Sequence, residues 1–301
     1  MKNKLIIFKC IPRNPVILIM MGFSIVFAQT NDDEEPFFNM AFSGKIFSKI
    51  NENDSKALTK VLAENLIENS PLKFHTNTPN IIRTLDELEE SIENESNDLY
   101  VILPTEYIQL KKSDLIEPII VPEKNNSVFD IYKLIVTKRS SIKNLKDLKG
   151  KKILIATSAV EDIPHFWLDH LLSVKGLDKK EKYFKEIENS EKSLTSILKV
   201  YFGQADACIL SESNLNLAIE LNPQLNTDFL TLEVSKPIVK AILAQKTFKT
   251  EENKKILLDN LLSLNKTTEG KQILMLFKID RLIPYKEEYL ESSYDFVQVK
   301  R

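Results

Sequence analysis

Short apolar runs alternate along this chain with longer stretches in which apolar residues recur every three or four positions. That is the alternation of buried strands with one-sided helices. Residues 37–43 read as a first strand, and Asn53 or Asp54 can cap a helix whose Leu58, Val61, Leu62 and Leu66 share one face. A second strand is expected at 72–75, a helix at 84–93 with Leu85, Leu88 and Ile92 inward, and a third strand at 99–103. Pro104 then opens a short helix that contains Tyr107. From 117 to 127 the text turns extended and proline-punctuated, which suits a strand leaving one sheet and crossing to another. Strands at 132–137 and 152–156, helices at 162–174 and 194–201, and a strand at 205–210 follow. A second proline-bearing passage at 231–237 leads to a strand at 238–244 and helices at 251–264 and 268–277.

The pattern predicts an α/β protein whose chain crosses twice between two lobes. Lobe 1 is expected from 29–118 plus 236–301 and lobe 2 from 119–235. About 270 residues exceed one comfortable hydrophobic core, which agrees with two lobes. We find no repeat of 20 to 50 residues and no low-complexity tract.

The first 28 residues break the alternation. Lys2, Lys4, Lys9 and Arg13 precede a twelve-residue apolar run, 16–27, and no acidic residue occurs before the acidic cluster at 32–35. This is the pattern of a signal peptide cut after Ala28, and the run is shorter than the roughly 20 residues that span a bilayer. Cys10 precedes the run and has no small residues before it, so no lipid attachment is expected there. Cleavage would remove four of the 41 basic residues and none of the 43 acidic ones, shifting the formal charge from −2 to −6. Such a chain has no electrostatic call on nucleic acid. Of the two cysteines only Cys208 would remain, set in the apolar run 205–210, where a buried structural thiol is expected.

The chemistry-bearing signals are few. No phosphate loop, dinucleotide glycine pattern, serine elbow or zinc spacing occurs, and no cofactor is called for. His165 and Asp169 share a helix face, but His170 falls off it and His75 is remote, a poor set of metal ligands. Gly150 suits a left-handed cap before the strand at 152, and Gly203 suits a tight turn before the strand at 205. Asp206 interrupts an apolar run, so its carboxylate must find partners, either in backbone donors or in a ligand.

Ligands of open α/β sheets sit at the carboxyl ends of strands, where free N–H groups of the next helix can hold an anion. The turn at 156–160 is therefore the leading candidate, with Thr157 and Ser158 adding hydroxyl donors, although both could simply cap the helix. Glu161 and Asp162 would repel an anion if they faced the cleft. In the other lobe the matching strand ends are Phe42-Ser43-Gly44-Lys45 and Leu103-Pro-Thr-Glu-Tyr107. Ser43, Thr105 and Tyr107 can donate there, and Tyr107 can equally be a packing residue.

Four runs carry a resemblance: Asn51-Glu-Asn-Asp-Ser-Lys-Ala-Leu58, the run from Ser141 to Ala156 with its Asp-Leu-Lys-Gly-Lys, Val200-Tyr-Phe-Gly-Gln-Ala-Asp-Ala-Cys-Ile-Leu210 followed by Glu220 to Leu225, and Gly270-Lys-Gln-Ile-Leu-Met-Leu-Phe277. In order and spacing they resemble the phosphate/phosphite/phosphonate substrate-binding branch of the type II periplasmic binding proteins. The resemblance implies an exported, periplasmic solute-binding protein, not an enzyme, that closes on a small oxyanion and serves an ABC permease, as a monomer. It also implies that Thr157 and Ser158 grip the oxyanion and that an aromatic contact lies near Tyr107. Two alternatives share the scaffold, a ligand-sensing partner of a membrane receptor or histidine kinase, and a small-molecule lyase.

Overall fold

β1 (Met40–Ser43) carries four consecutive buried side chains, as a strand covered on both faces requires. It belongs to a computed structural model that describes residues 37–47, 51–68, 75–157, 162–190, 192–246 and 251–297. The expected leader, residues 72–74 of the expected second strand, and Ser158 and Glu161 lie outside the described residues.

α1 (Glu52–Glu68) follows β1 and turns Leu62 and Leu66 inward. The short β2 (Asn80–Ile82) pairs parallel with β1 at the sheet edge. α2 (Leu85–Glu93) starts at Thr84, whose hydroxyl accepts the Glu87 N–H at 3.1 Å. β3 (Leu99–Ile102) lies parallel to β1 on its other side and leads through Leu103 into α3 (Pro104–Gln109), with proline at the first helical position. β4 (Ile116–Glu123) completes this passage, and the small β5 (Phe129–Asp130) begins the crossing.

The second unit opens with β6 (Tyr132–Thr137) and β7 (Lys152–Ile155). Gly150 just before β7 has φ +70°, the left-handed conformation expected of it. α4 (Ile163–Val174), α5 (Lys180–Tyr183), β8 (Glu186–Asn189), α6 (Ser193–Tyr201) and β9 (Ala207–Ser211) follow, then α7 (Glu212–Leu221), α8 (Gln224–Asp228) and β10 (Phe229–Val234). The chain returns through β11 (Ile238–Val239) to β12 (Ile242–Lys246), α9 (Glu251–Ser263), α10 (Thr268–Leu276), β13 (Arg281–Pro284) and α11 (Glu291–Phe296).

Among the described residues these strands form a six-stranded sheet in the order β13-β4-β12-β3-β1-β2, a five-stranded sheet in the order β10-β6-β9-β7-β8, and the two-stranded pair β11-β5. β4 lies wholly in the first sheet, so the expected lobe boundary at residue 118 falls inside a strand, and the chain changes sheet after Glu123. The single strand expected at 238–244 is two strands. β11 pairs with β5 in the crossing, whereas β12 pairs with β3 and β4, so the chain changes partners at Lys240–Ala241. One face of the first sheet packs on α1, α9 and α10 through Phe42, Leu62, Leu243 and Leu261. The second sheet packs on α4 through Val136, Ile155, Trp167 and Leu168, and Phe296 and Val297 join that core.

Candidate functional site

Because β1 and β3 are parallel neighbours, their carboxyl ends lie side by side. Ser43 ends β1, Lys45 follows it in a short 3-10 turn, and Thr105 and Glu106 begin the helix after β3. Glu106, three residues beyond Leu103, folds back so that its Oε2 accepts the Leu103 N–H at 2.9 Å. Its Oε1 accepts the Ser43 hydroxyl at 2.8 Å. Ser43 Oγ in turn accepts the Lys45 N–H at 3.2 Å. The local sequence thus builds a rigid polar corner in which both Glu106 oxygens hold backbone and side chain in place.

Asp162, at the start of α4, reaches this corner from the other sheet. Its Oδ2 accepts Lys45 Nζ at 2.6 Å and its Oδ1 accepts the Thr105 hydroxyl at 2.8 Å. The ammonium also lies 3.6 Å from Glu106 Oε1. Asp162 therefore faces the cleft. It makes no side-chain cap bond to its own helix, so the contact across the cleft is what it does in this structure.

The electrostatics follow from burial. The Glu106 side chain is only 4% exposed. Its pKa is raised by burial, against which the Leu103 N–H, Lys45 and the Ser43 hydroxyl act without cancelling it. Burial also works against the charge on Lys45, but Asp162 and then Glu106 outweigh it and hold the ammonium's pKa above its ordinary 10.5. The cleft thus carries a fixed cation beside a donor hydroxyl, both aimed at the two oxygens of one carboxylate.

The sequence-predicted residues divide. Ser43 and Thr105 come together with Lys45 and Glu106. Thr157 is buried at the carboxyl end of β7, its N–H donating to Ile155 O at 2.8 Å. Ser158 lies outside the described residues. Tyr107 is two residues beyond Thr105 and so points from a different side of α3. It packs against hydrophobic clusters of both sheets, and burial followed by neighbouring Tyr294 raises its pKa. Asp206 stands apart, at the amino end of β9. Its Oδ2 accepts the Lys152 N–H at 2.9 Å at the start of β7, the sheet end opposite Thr157, because a carboxylate there satisfies a strand's first donor. His165 Nε2 meets Asn189 Oδ1 at 2.9 Å.

Sequence reasoning passed over Lys45 and Glu106. The legible signal was the spacing, an acid three residues after Leu103 at a proline-started helix and a lysine just past a strand end.

Two sheets joined by two crossings, with a polar corner at the strand ends between them, define the type II periplasmic binding protein fold. Solved structures share it. A Xanthomonas citri protein, XAC2383, bound to ATP superposes with TM-score 0.64 at 14% identity, covering 88% of this chain and 98% of that one. PhnD1 of Prochlorococcus marinus in complex with methylphosphonate gives TM-score 0.58 at 15% identity, covering 87% and 97%. A binding-protein component of an ABC phosphonate transporter of Pseudomonas aeruginosa, PA3383, gives 0.56 at 14%, covering 85% and 84%. No curated protein matches the chain. The family of ABC transporter phosphonate periplasmic substrate-binding proteins matches residues 46–290, and the chain belongs to it. Among the described residues no helix is long and apolar enough to cross a membrane.

Proposed function

We propose that this chain is an exported solute-binding protein that captures a small phosphonate- or phosphate-type oxyanion by hinge closure and delivers it to an ABC permease. The observation that carries the reading is the convergence of Lys45 Nζ and the Thr105 hydroxyl on one carboxylate, at 2.6 and 2.8 Å. An oxyanion ligand would take the place of that carboxylate and stabilise the closed arrangement of the sheets.

Magnitudes set what else is needed. Each hydrogen bond to a charged group contributes about 1.5 to 3 kcal/mol, and micromolar binding needs about 8. Two such bonds fall short, so the lobe-2 side must supply the remainder, with Thr157 at the end of β7 as its contributor. Methylphosphonate, phosphate and a small sulfonate at millimolar concentration should raise the melting temperature of the purified protein. Lys45→Met should abolish the rise. No rise with any of the three sinks the proposal.

A further inference from the structure

The chain passes between its sheets a third time, at its carboxyl end. Tyr289 and Leu290, after β13, are buried in the hydrophobic cluster of the first sheet that holds Val121 and Val239. Phe296 and Val297, at the far end of α11, are buried in the cluster of the second sheet that holds Trp167 and Leu168. About 9 Å of helix separates Leu290 from Phe296, so one short element has an anchor in each lobe. Between the anchors α11 lies against α3, α4 and β11. Lys236, in the returning crossing, adds an exposed ion pair by donating to Asp295 Oδ2 at 2.6 Å.

The placement gives this third passage a mechanical role. The other two crossings pair through the two-residue strands β5 and β11, a joint short enough to bend as a hinge. The helices that α11 bridges are those whose starts carry Thr105 and Asp162, the partners across the cleft. Leu103 and Ile108, on either side of Thr105, belong to the same cluster as Phe296, so the apolar contact is continuous from one lobe to the other. A rotation that opens the cleft must draw Phe296 and Val297 out of the second core or Leu290 out of the first, and either exposes apolar surface. The Ser293 hydroxyl, in the middle of α11, is buried and has no hydrogen-bond partner. Such a group opposes the docked arrangement and is relieved once water reaches it, so the docking can be undone.

We propose that α11 is a releasable strap that holds the empty cleft closed until one of its anchors lets go. Both anchors are apolar and lie outside the polar corner, so the proposal stands independently of the oxyanion reading.

Small-angle X-ray scattering of the purified full chain without ligand, beside Phe296→Ala and a chain ending at Leu290, tests it. The unaltered protein should show the radius of gyration of the closed arrangement. Both variants should show a larger one while keeping the circular dichroism of a folded α/β protein. Trp167, the single tryptophan, shares its cluster with Phe296, so acrylamide should quench it more strongly in both variants, which reports release of the strap. An unchanged radius in variants whose Trp167 has become accessible overturns the proposal, because the cleft then stays closed without α11. An unaltered protein that is already open in solution overturns it as well. Loss of the folded circular dichroism in either variant makes the segment part of a lobe's own fold and overturns it too.

Discussion

Removing the Asp162 carboxylate should tighten oxyanion binding even though it removes two hydrogen bonds from the resting protein. In Asp162→Ala the Lys45 contact at 2.6 Å and the Thr105 contact at 2.8 Å both vanish. The Lys45 and Asp162 side chains are 21% and 22% exposed, so the pair is only partly desolvated. Exposed ion pairs contribute about 0 to 1 kcal/mol and hydrogen bonds to charged groups about 1.5 to 3, so we take the clasp as worth about 2 kcal/mol in total. Glu106, 3.6 Å from the ammonium, remains as a partner, and no helix-cap bond is lost, so no larger penalty arises. A ligand that takes Lys45 and Thr105 must break this clasp in the wild type and need not in the variant. About 2 kcal/mol then appears as roughly 30-fold tighter binding. Titration calorimetry with methylphosphonate on both proteins measures it. Unchanged or weaker binding in the variant would refute the idea that ligand and Asp162 compete for the same two donors.

Three further outcomes follow from single residues. Burial raises the Glu106 pKa above its ordinary 4.5, so the folded protein holds that proton more tightly than the unfolded chain. Its contribution is present in full below the ordinary value and is lost as pH rises through the raised one, so Glu106→Gln should gain stability relative to wild type as pH rises above the ordinary carboxylate value and through the raised one. Parallel urea-midpoint profiles for the two proteins would show that reasoning to be wrong. Cys208 is fully buried and burial pushes its thiol pKa up, so a thiol reagent should label it only after unfolding, and rapid labelling of the native protein would contradict this placement. A Cβ on Gly270 would meet the Leu264 carbonyl oxygen at 2.0 Å, so Gly270→Ala should lose about 1 to 3 kcal/mol of stability in denaturant titration. An unchanged midpoint would count against the tight start of α10.

The architecture was legible wherever burial imposes a period. β6 falls on its expected residues, and α4, α9 and α10 fall within a residue of theirs, because each presents a continuous apolar strand or a one-sided helix. Short edge strands were not legible. β2 and β8 are Asn-Ile-Ile and Glu-Ile-Glu-Asn, whose exposed edge positions leave no apolar run to read. The break between β11 and β12 was hidden for the opposite reason, since both are buried and only their partners differ. At the site, strand-end logic led to Ser43 and Thr105. Lys45, Glu106 and the outward reach of Asp162 depend on contacts 63 and 117 residues apart in sequence, which no local pattern encodes. Asp206 could be read from sequence as a carboxylate in need of partners. Which end of the sheet it occupies follows only from the pairing of β7 with β9.

A crystal structure of the protein with methylphosphonate tests the central claim most directly. The account predicts phosphonate oxygens within hydrogen-bond distance of Lys45 Nζ and the Thr105 hydroxyl, with the Asp162 carboxylate displaced from both. A phosphonate bound elsewhere, with Asp162 still holding Lys45 and Thr105, would contradict it.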